Sequence, residues 1–138
     1  MTVLRALALQ EAIFAALSGD AALSALVDGR INDEPVHLDD PTSGSGPYVT
    51  LGDEKVRRWN AQGLTGAIHE AEVSIHAASG GFADVKRIAA EVERVLGQAP
   101  LTLAAGRVVT TSLRGARAVR IAEGGRRIDL RFEFRVEA

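Results

Sequence analysis

The side chains best suited to chemistry lie close together between His69 and Ala77. Apolar and polar residues alternate there, which predicts a strand with Glu70, Glu72 and His76 on its polar face. A carboxylate pair beside an imidazole suits general acid–base catalysis. No nucleophile, phosphate-binding loop or metal-ligand spacing accompanies these residues, however, and they would lie on an open sheet face. We therefore favour cross-strand pairing of Glu70 or Glu72 with arginines of the last strand over catalysis.

A second group of possible ligands lies in residues 32–47, whose prolines, glycines and polar residues are typical of an exposed loop. Its candidate ligands are Asp33, Glu34, His37, Asp39 and Asp40. This composition is similar to that of a hard-cation site, but the spacing matches neither a calcium loop nor a zinc site. The pair Gly80-Gly81 precedes a predicted helix but lacks the Gly-Lys-Ser/Thr ending of a phosphate-binding loop. We therefore predict a solvated acidic loop, no metal and no cofactor.

The composition narrows the class of protein. The 138 residues are 46% hydrophobic and 25% charged, which predicts one globular domain over residues 1–138. Cysteine is absent, so disulfides, thiolate metal sites and a cysteine nucleophile are excluded. No apolar run approaches the roughly 20 residues of a membrane span, and a signal-peptide pattern is lacking. We therefore expect a soluble cytoplasmic product without membrane contact.

Charge is distributed unevenly along the chain. Residues 101–138 contain eight arginines and four acids, a surplus of +4; since the net charge is −2, residues 1–100 carry −6. The arginines of the last strand alternate with acids, whereas a DNA-binding face usually presents a clustered, unneutralised basic stripe. The charge pattern therefore favours partners other than nucleic acid.

The last strand, Arg127 to Glu137, organises the rest of the predicted fold. Strict alternation of apolar and charged residues predicts one buried face. That face comprises Ile128, Leu130, Phe132, Phe134 and Val136. The other predicted strands are Pro47–Gly52, His69–Ala77 and Arg107–Ile121, with a possible edge segment at Leu101–Leu103. Gly115 predicts a bulge or bend, and Glu123-Gly124-Gly125 predicts a hairpin turn into the last strand.

Helices are predicted to cover one face of this sheet. Phe82–Leu96 has apolar residues at helical spacing, whereas Thr2–Leu17 is apolar over a broad arc. Such an arc indicates contacts on two sides, with the sheet and with either a loop or a neighbouring subunit, and we favour burial within the chain. A short helix is expected between Asp20 and Asp28-Gly29. The predicted fold is α+β, a four-stranded, mostly antiparallel sheet covered on one face by the N-terminal and central amphipathic helices.

Two segments, 32–47 and 53–66, are predicted to be loops longer than a compact domain needs, and thus interaction loops. The second contains Trp59, which can either pack back onto the core or anchor a partner. The arginines around the last hairpin can either dock a partner or remain solvated. Both questions stay open at the level of sequence.

The succession of turns and apolar residues resembles a known family. The segments that carry the resemblance are LQEAIFAAL at 9–17, DAAL at 20–23, GRI at 29–31, PYVTLG at 47–52 and HEAEVSIH at 69–76, followed by the Phe82 helix and the closing hairpin. They are similar to the tail-completion or tail-terminator family of long-tailed phages, particularly the versions found in alphaproteobacterial gene transfer agents. The similarity extends over nearly the whole chain.

The resemblance implies a structural virion protein without enzymatic activity. Such proteins form a ring, commonly of six subunits, at the head-proximal end of the tail tube, end its polymerisation and join the tail to the head connector. The implied partners are other copies of the chain, the major tail tube protein and head–tail connector or stopper proteins, with DNA only as passing cargo. The implied location is the neck end of a virion tail, after assembly in the bacterial cytoplasm. Alternatives are another connector or neck adaptor, a small enzyme using Glu70, Glu72 and His76, or a monomeric adaptor.

The family's motifs transfer no site residue by residue, so the candidate interface follows from charge, loop length and expected exposure. A ring requires two different, complementary patches, and an acidic first part with a basic last third offers such a pair. The candidate subunit or tube interface comprises Asp33, Glu34, Asp39, Asp40, Arg57, Arg58, Trp59, Arg114, Arg117, Arg120, Arg127, Arg131 and Arg135.

Overall fold

The protein has two layers, a mixed sheet and a layer of helices on one face of it. The computed structural model describes residues 2–32, 46–61, 64–78, 80–98 and 101–137. The helices are α1 (Thr2–Ser18), α2 (Ala21–Val27) and α3 (Phe82–Gln98), and a 3-10 turn covers Ala122–Gly124. The strands are β1 (Ile31–Asn32), β2 (Tyr48–Ala61), β3 (Leu64–Ala77), β4 (Arg107–Arg120) and β5 (Arg126–Glu137).

The strand order is β1-β2-β3-β5-β4. Strand β1 pairs with β2 in parallel, and the other pairings are antiparallel. The α+β class is as predicted, but the strand number is not, since the described residues form five strands rather than four. The additional strand, Ile31–Asn32, has only two residues and is therefore too short to show a period.

The predicted loop 53–66 is wrong. Its described residues belong to two 14-residue strands, and Val56, Arg57 and Arg58 pair with His69, Ile68 and Ala67. Residues 62 and 63, between the strands, lie outside the described residues, as do 33–45 of the other predicted loop. Leu101–Leu103, suggested as an edge segment, is not a strand. Gly115 does lie at a register shift of β4, as predicted.

The core lies between the helices and the inner face of the sheet. All five apolar residues predicted for the last strand are at most 4% exposed. They are covered mainly by α3, whose buried residues are Val85, Ile88, Ala89, Val92 and Leu96. Leu9, Ile13 and Leu17 bring α1 onto the same core. The apolar face of β5 thus packs against the apolar face of α3, as predicted from their residue periods. Strand β5 lies between β3 and β4 in the sheet.

Helix α2 is held at both ends by the predicted residues. Asp20 accepts a hydrogen bond at Oδ2 from the Leu23 amide (2.9 Å), and the same oxygen lies 2.7 Å from Arg94 Nη2 of α3. The hydrogen bond from the Leu23 amide lowers the pKa of Asp20 below its usual value, and Arg94 makes a smaller contribution in the same direction. At the other end Asp28 has φ 52°, the left-handed conformation that ends a helix. Asp20 therefore joins α2 to α3.

None of the described helices is long and apolar enough to span a membrane by itself. Helices α1 and α2 reach that length only together, and they meet at a bend of 79°.

Candidate subunit interface

The face of the sheet that points away from the helices, hereafter the open face, carries most of the charged side chains of β5. Glu133 lies at its centre and its side chain is only 12% exposed. Its carboxylate oxygens lie 3.8 Å from Arg57 Nη2, 3.9 Å from Arg114 Nε and 3.8 Å from Arg135 Nε. Three arginines predicted for an interface therefore approach an acid of their own chain, from β2, β4 and β5.

Asp129 forms a second cluster on the open face. It accepts a hydrogen bond from Ser74 Oγ (2.7 Å), and Arg127 Nε lies 3.0 Å from it. Its neighbour across the ladder in β4 is Arg117, whose side chain is exposed. The acids Asp129 and Glu133 of β5 are thus approached by arginines of β5 itself, of β4 and of β2.

Among the described residues, the favoured cross-strand pairing of Glu70 or Glu72 with an arginine of β5 is found only in the register, at Glu72. Glu72 does stand opposite Arg131, but no salt bridge joins the two, and Glu70 stands opposite the like-charged Glu133. Arg131 instead approaches Gly115, where a Cβ would lie 3.2 Å from its Nη2. Arg127 and Arg135 instead lie close to acids of their own strand, Asp129 and Glu133.

Glu70, Glu72 and His76 share the open face, as predicted, but they do not converge. Successive residues of a strand rise about 3.3 Å, so four residues separate Glu72 from His76 by roughly 13 Å. His76 Nε2 instead lies 2.9 Å from Thr50 Oγ1. Burial and, next, the charge of Arg127 lower the pKa of His76, while Asp129 opposes the shift. This arrangement does not form an acid–base pair.

Two hairpin arginines lie against α3 rather than reaching out from the core. The guanidinium carbons of Arg120 and Arg126 lie 6.0 and 5.1 Å from the centre of the Phe82 ring, close enough for cation–π attraction. Arg126 also donates hydrogen bonds to the carbonyls of Gly124 and Gly125. The tip of the β4–β5 hairpin is therefore attached to the start of α3.

Of the remaining predicted interface residues, two lie in a strand and four lie outside the described residues. Arg58 and Trp59 lie in β2, opposite Ala67 and Gly66. The acidic residues Asp33, Glu34, Asp39 and Asp40 lie outside the described residues. In the part of the chain that the structure describes, no three His, Asp or Glu side chains come together to hold a metal ion.

Sequence reasoning missed two features. His69 is fully buried on the helix-facing side of β3, with Nδ1 3.3 Å from Glu54 Oε1 and no partner for Nε2. His69 lies two residues before Ala71 and four before Val73, so the period of a strand predicts that it shares their buried face. The second feature is on α1, where Val3, Leu7 and Phe14 are 80%, 51% and 42% exposed. The expectation that the whole apolar arc of α1 is buried within the chain is therefore wrong.

The comparison with known proteins identifies the family. A model described as "Tail completion protein gp17" matches residues 11–137. The chain belongs to this family. A solved chain described as "Virion of native gene transfer agent (GTA) particle" is 38% identical, with a TM-score of 0.84 over 97% of this chain and 98% of that chain. No curated protein matches. The tail completion protein is thus a structural protein at the tail end of a phage-like virion.

Proposed function

We propose that this tail completion protein forms a ring at the head-proximal end of the tail tube, ends tube polymerisation there and joins the tail to the head connector. The observation that carries the proposal is the 38% identity, over 97% of the chain, to a chain of a gene transfer agent virion. Its partners in this role are other copies of itself in a ring of commonly six subunits, the major tail tube protein and the connector or stopper proteins, with DNA passing through the lumen.

The two outer faces of the molecule support a ring. A closed ring needs a head-to-tail contact between two different patches, whereas a symmetric dimer uses one patch twice. The open face is charged, and the outer side of α1 is apolar. The two long helices and the sheet share one core, which supports a single domain as the ring subunit.

Deletion of the gene from a particle-producing host tests this function. We expect tail tubes of uncontrolled length that are not joined to heads, and restoration of normal particles by the gene supplied in trans. Purified protein added to tail tubes should appear as a ring at one end in negative-stain images.

Two outcomes would contradict the proposal. Tails of normal length that fail to join heads would favour a connector or neck adaptor that does not end the tube. Normal, joined particles without the protein would remove both roles. Replacement of Glu70, Glu72 and His76 by alanine should leave particle formation unchanged wherever the variant chain folds, since no chemistry is required of them.

A further inference from the structure

Helix α1 has an apolar side that the chain itself does not cover. Leu9, Ile13 and Leu17 face the core and are buried. On the opposite side, Val3, Leu4, Leu7 and Phe14 form what we call the α1 stripe, with exposed fractions from 42% to 80%. Spacings of four and seven residues place Val3, Leu7 and Phe14 on one line along the helix. Four exposed apolar side chains on one side of a helix are typical of an interface.

The α1 stripe lies toward the β1–β2 end of the sheet. Phe14 lines a shallow groove of about 260 Å³ together with Gln10, Glu11 and Leu51 of β2. The other flank of α1 faces α3, where Ala12, Ala15 and Ala16 line a cleft with Val95. The α1 stripe therefore lies on the side of α1 that is turned away from α3, at the β1–β2 end of the sheet.

At the other lateral end, helices cover only part of β4, where Val108 is buried in the core. Leu113, Ala116 and Ala118 stand opposite the core residues of β5, so they point to the helix side of the sheet, yet all three are exposed. Val109 is 38% exposed and lines a small cleft of about 160 Å³ at the end of α3. We call Val109, Leu113, Ala116 and Ala118 the β4 ledge. Two long helices do not cover all of a five-stranded sheet, and most of β4 beyond the buried Val108 is left exposed, as is the distal half of β2.

We propose that the α1 stripe of one copy packs on the β4 ledge of the next copy. This inference rests on the proposed ring and names its contact. The strand order puts the two patches at opposite ends of the same sheet. A neighbouring α1 lying beside α3 would continue the helix layer over β4. Because stripe and ledge are different patches on opposite ends, the contact is head-to-tail and can close a ring.

Charge at the rim agrees with this pairing. Glu11 is an exposed acid next to Phe14 on α1, and Arg114 and Arg117 are exposed on β4. Opposite charges at a rim steer association and fix its register. The outward side of α3 alternates acids and arginines, including the Arg87–Asp84 and Arg94–Glu91 pairs, and offers no competing apolar stripe among the described residues.

Cysteine cross-linking in assembled particles tests the contact, since the chain contains no cysteine. Leu7→Cys and Leu113→Cys in one chain, treated with an oxidant or a short bis-maleimide, should yield a ladder of covalent oligomers up to ring size. Each single variant should remain monomeric. Glu93→Cys, on the exposed side of α3, replaces Leu113→Cys in the matched control and should produce no ladder with Leu7→Cys.

The outcomes separate this contact from the ring itself. Images that show rings without a ladder would overturn the α1–β4 contact and leave the proposed function standing. Dimers of the Leu7→Cys single variant would indicate α1 against α1 and would also overturn it. The absence of any ring at the tail end would overturn both.

A charge on the stripe provides a second test. Leu7→Glu should lower incorporation into particles at least tenfold and leave the melting temperature of the isolated chain unchanged, since Leu7 is 51% exposed. Ala90→Glu, on the exposed side of α3, is the matched control and should incorporate normally. Normal incorporation of Leu7→Glu would overturn the inference.

Discussion

The imidazole of His76 stacks on the ring of Tyr48, with centroids 4.6 Å apart and planes 6° from parallel. These residues stand opposite each other in β3 and β2, and Thr50 Oγ1 lies 2.9 Å from His76 Nε2. The stack covers the histidine on the open face. A residue that the sequence marked as a possible acid–base catalyst thus serves to join two strands.

Stability should fall as the pH is lowered through the range in which His76 takes up a proton. Burial and Arg127 lower the pKa of His76 in the folded chain below 6.5, so the unfolded chain binds more protons just below that pH. The contribution of His76 to the free energy of unfolding is therefore complete above pH 6.5. It is lost as the pH falls from 6.5 through the lower pKa of the folded chain. One proton limits the slope to about 1.4 kcal/mol per pH unit. Urea unfolding of wild type and His76→Gln between pH 5 and 8 checks this, and equal slopes would contradict it.

A methyl group at Gly106 should destabilise the fold. Gly106 has φ +84°, and a Cβ there would lie 2.7 Å from the backbone oxygen of Glu137. The left-handed conformation and the clash together should cost about 2 kcal/mol or more. Gly97 in α3 is the matched control, since its Cβ would meet nothing within 4 Å, and Gly97→Ala should stabilise by about 0.5–1 kcal/mol. Urea midpoints that move in the same direction would refute this assignment.

Removing the charge of Glu133, at the centre of the open face, should lower the stability of the fold moderately. Glu133→Gln keeps the shape but leaves three arginines without their shared acid. Because these arginines are 41–62% exposed and lie 3.8–3.9 Å away, we expect a loss of only about 1 kcal/mol, smaller in 1 M salt. Glu93→Gln on α3 should change stability by less than about 0.5 kcal/mol. A salt-independent loss would argue against an electrostatic role.

Reversing the charge of Arg117 should weaken assembly at low salt and leave the fold intact. Arg114 lies near Glu133 and Arg120 near Phe82, so reversing Arg114 and Arg120 together with Arg117 would also disturb contacts within the chain. Arg117→Glu alone should lower incorporation several-fold in low salt, and about 0.5 M salt should reduce the difference because exposed charges are screened. Arg87→Glu on α3 makes the same charge change away from the ledge. Equal behaviour of the two variants would remove Arg117 from the interface.

Two of the correctly predicted elements follow directly from having one apolar and one polar face. Strand β5 and helix α3 each bury one side, so their period is visible in the residues themselves. The distal half of β2 buries neither side: residues 52–58 are all exposed, and no alternation marks them as a strand. Their conformation depends on hydrogen bonds to β3, which a local pattern does not contain.

The sequence by itself determined the fold class, the family and the core face of β5, because these follow from residue periods and from the order of turns. It also showed that α1 is apolar over more than one face. Only the tertiary structure decided which acids the arginines of β5 meet, since that depends on strand register. It likewise decided where the excess apolar surface of α1 lies, because exposure depends on which elements pack beside the helix, and most of the edge strand β4 is left exposed.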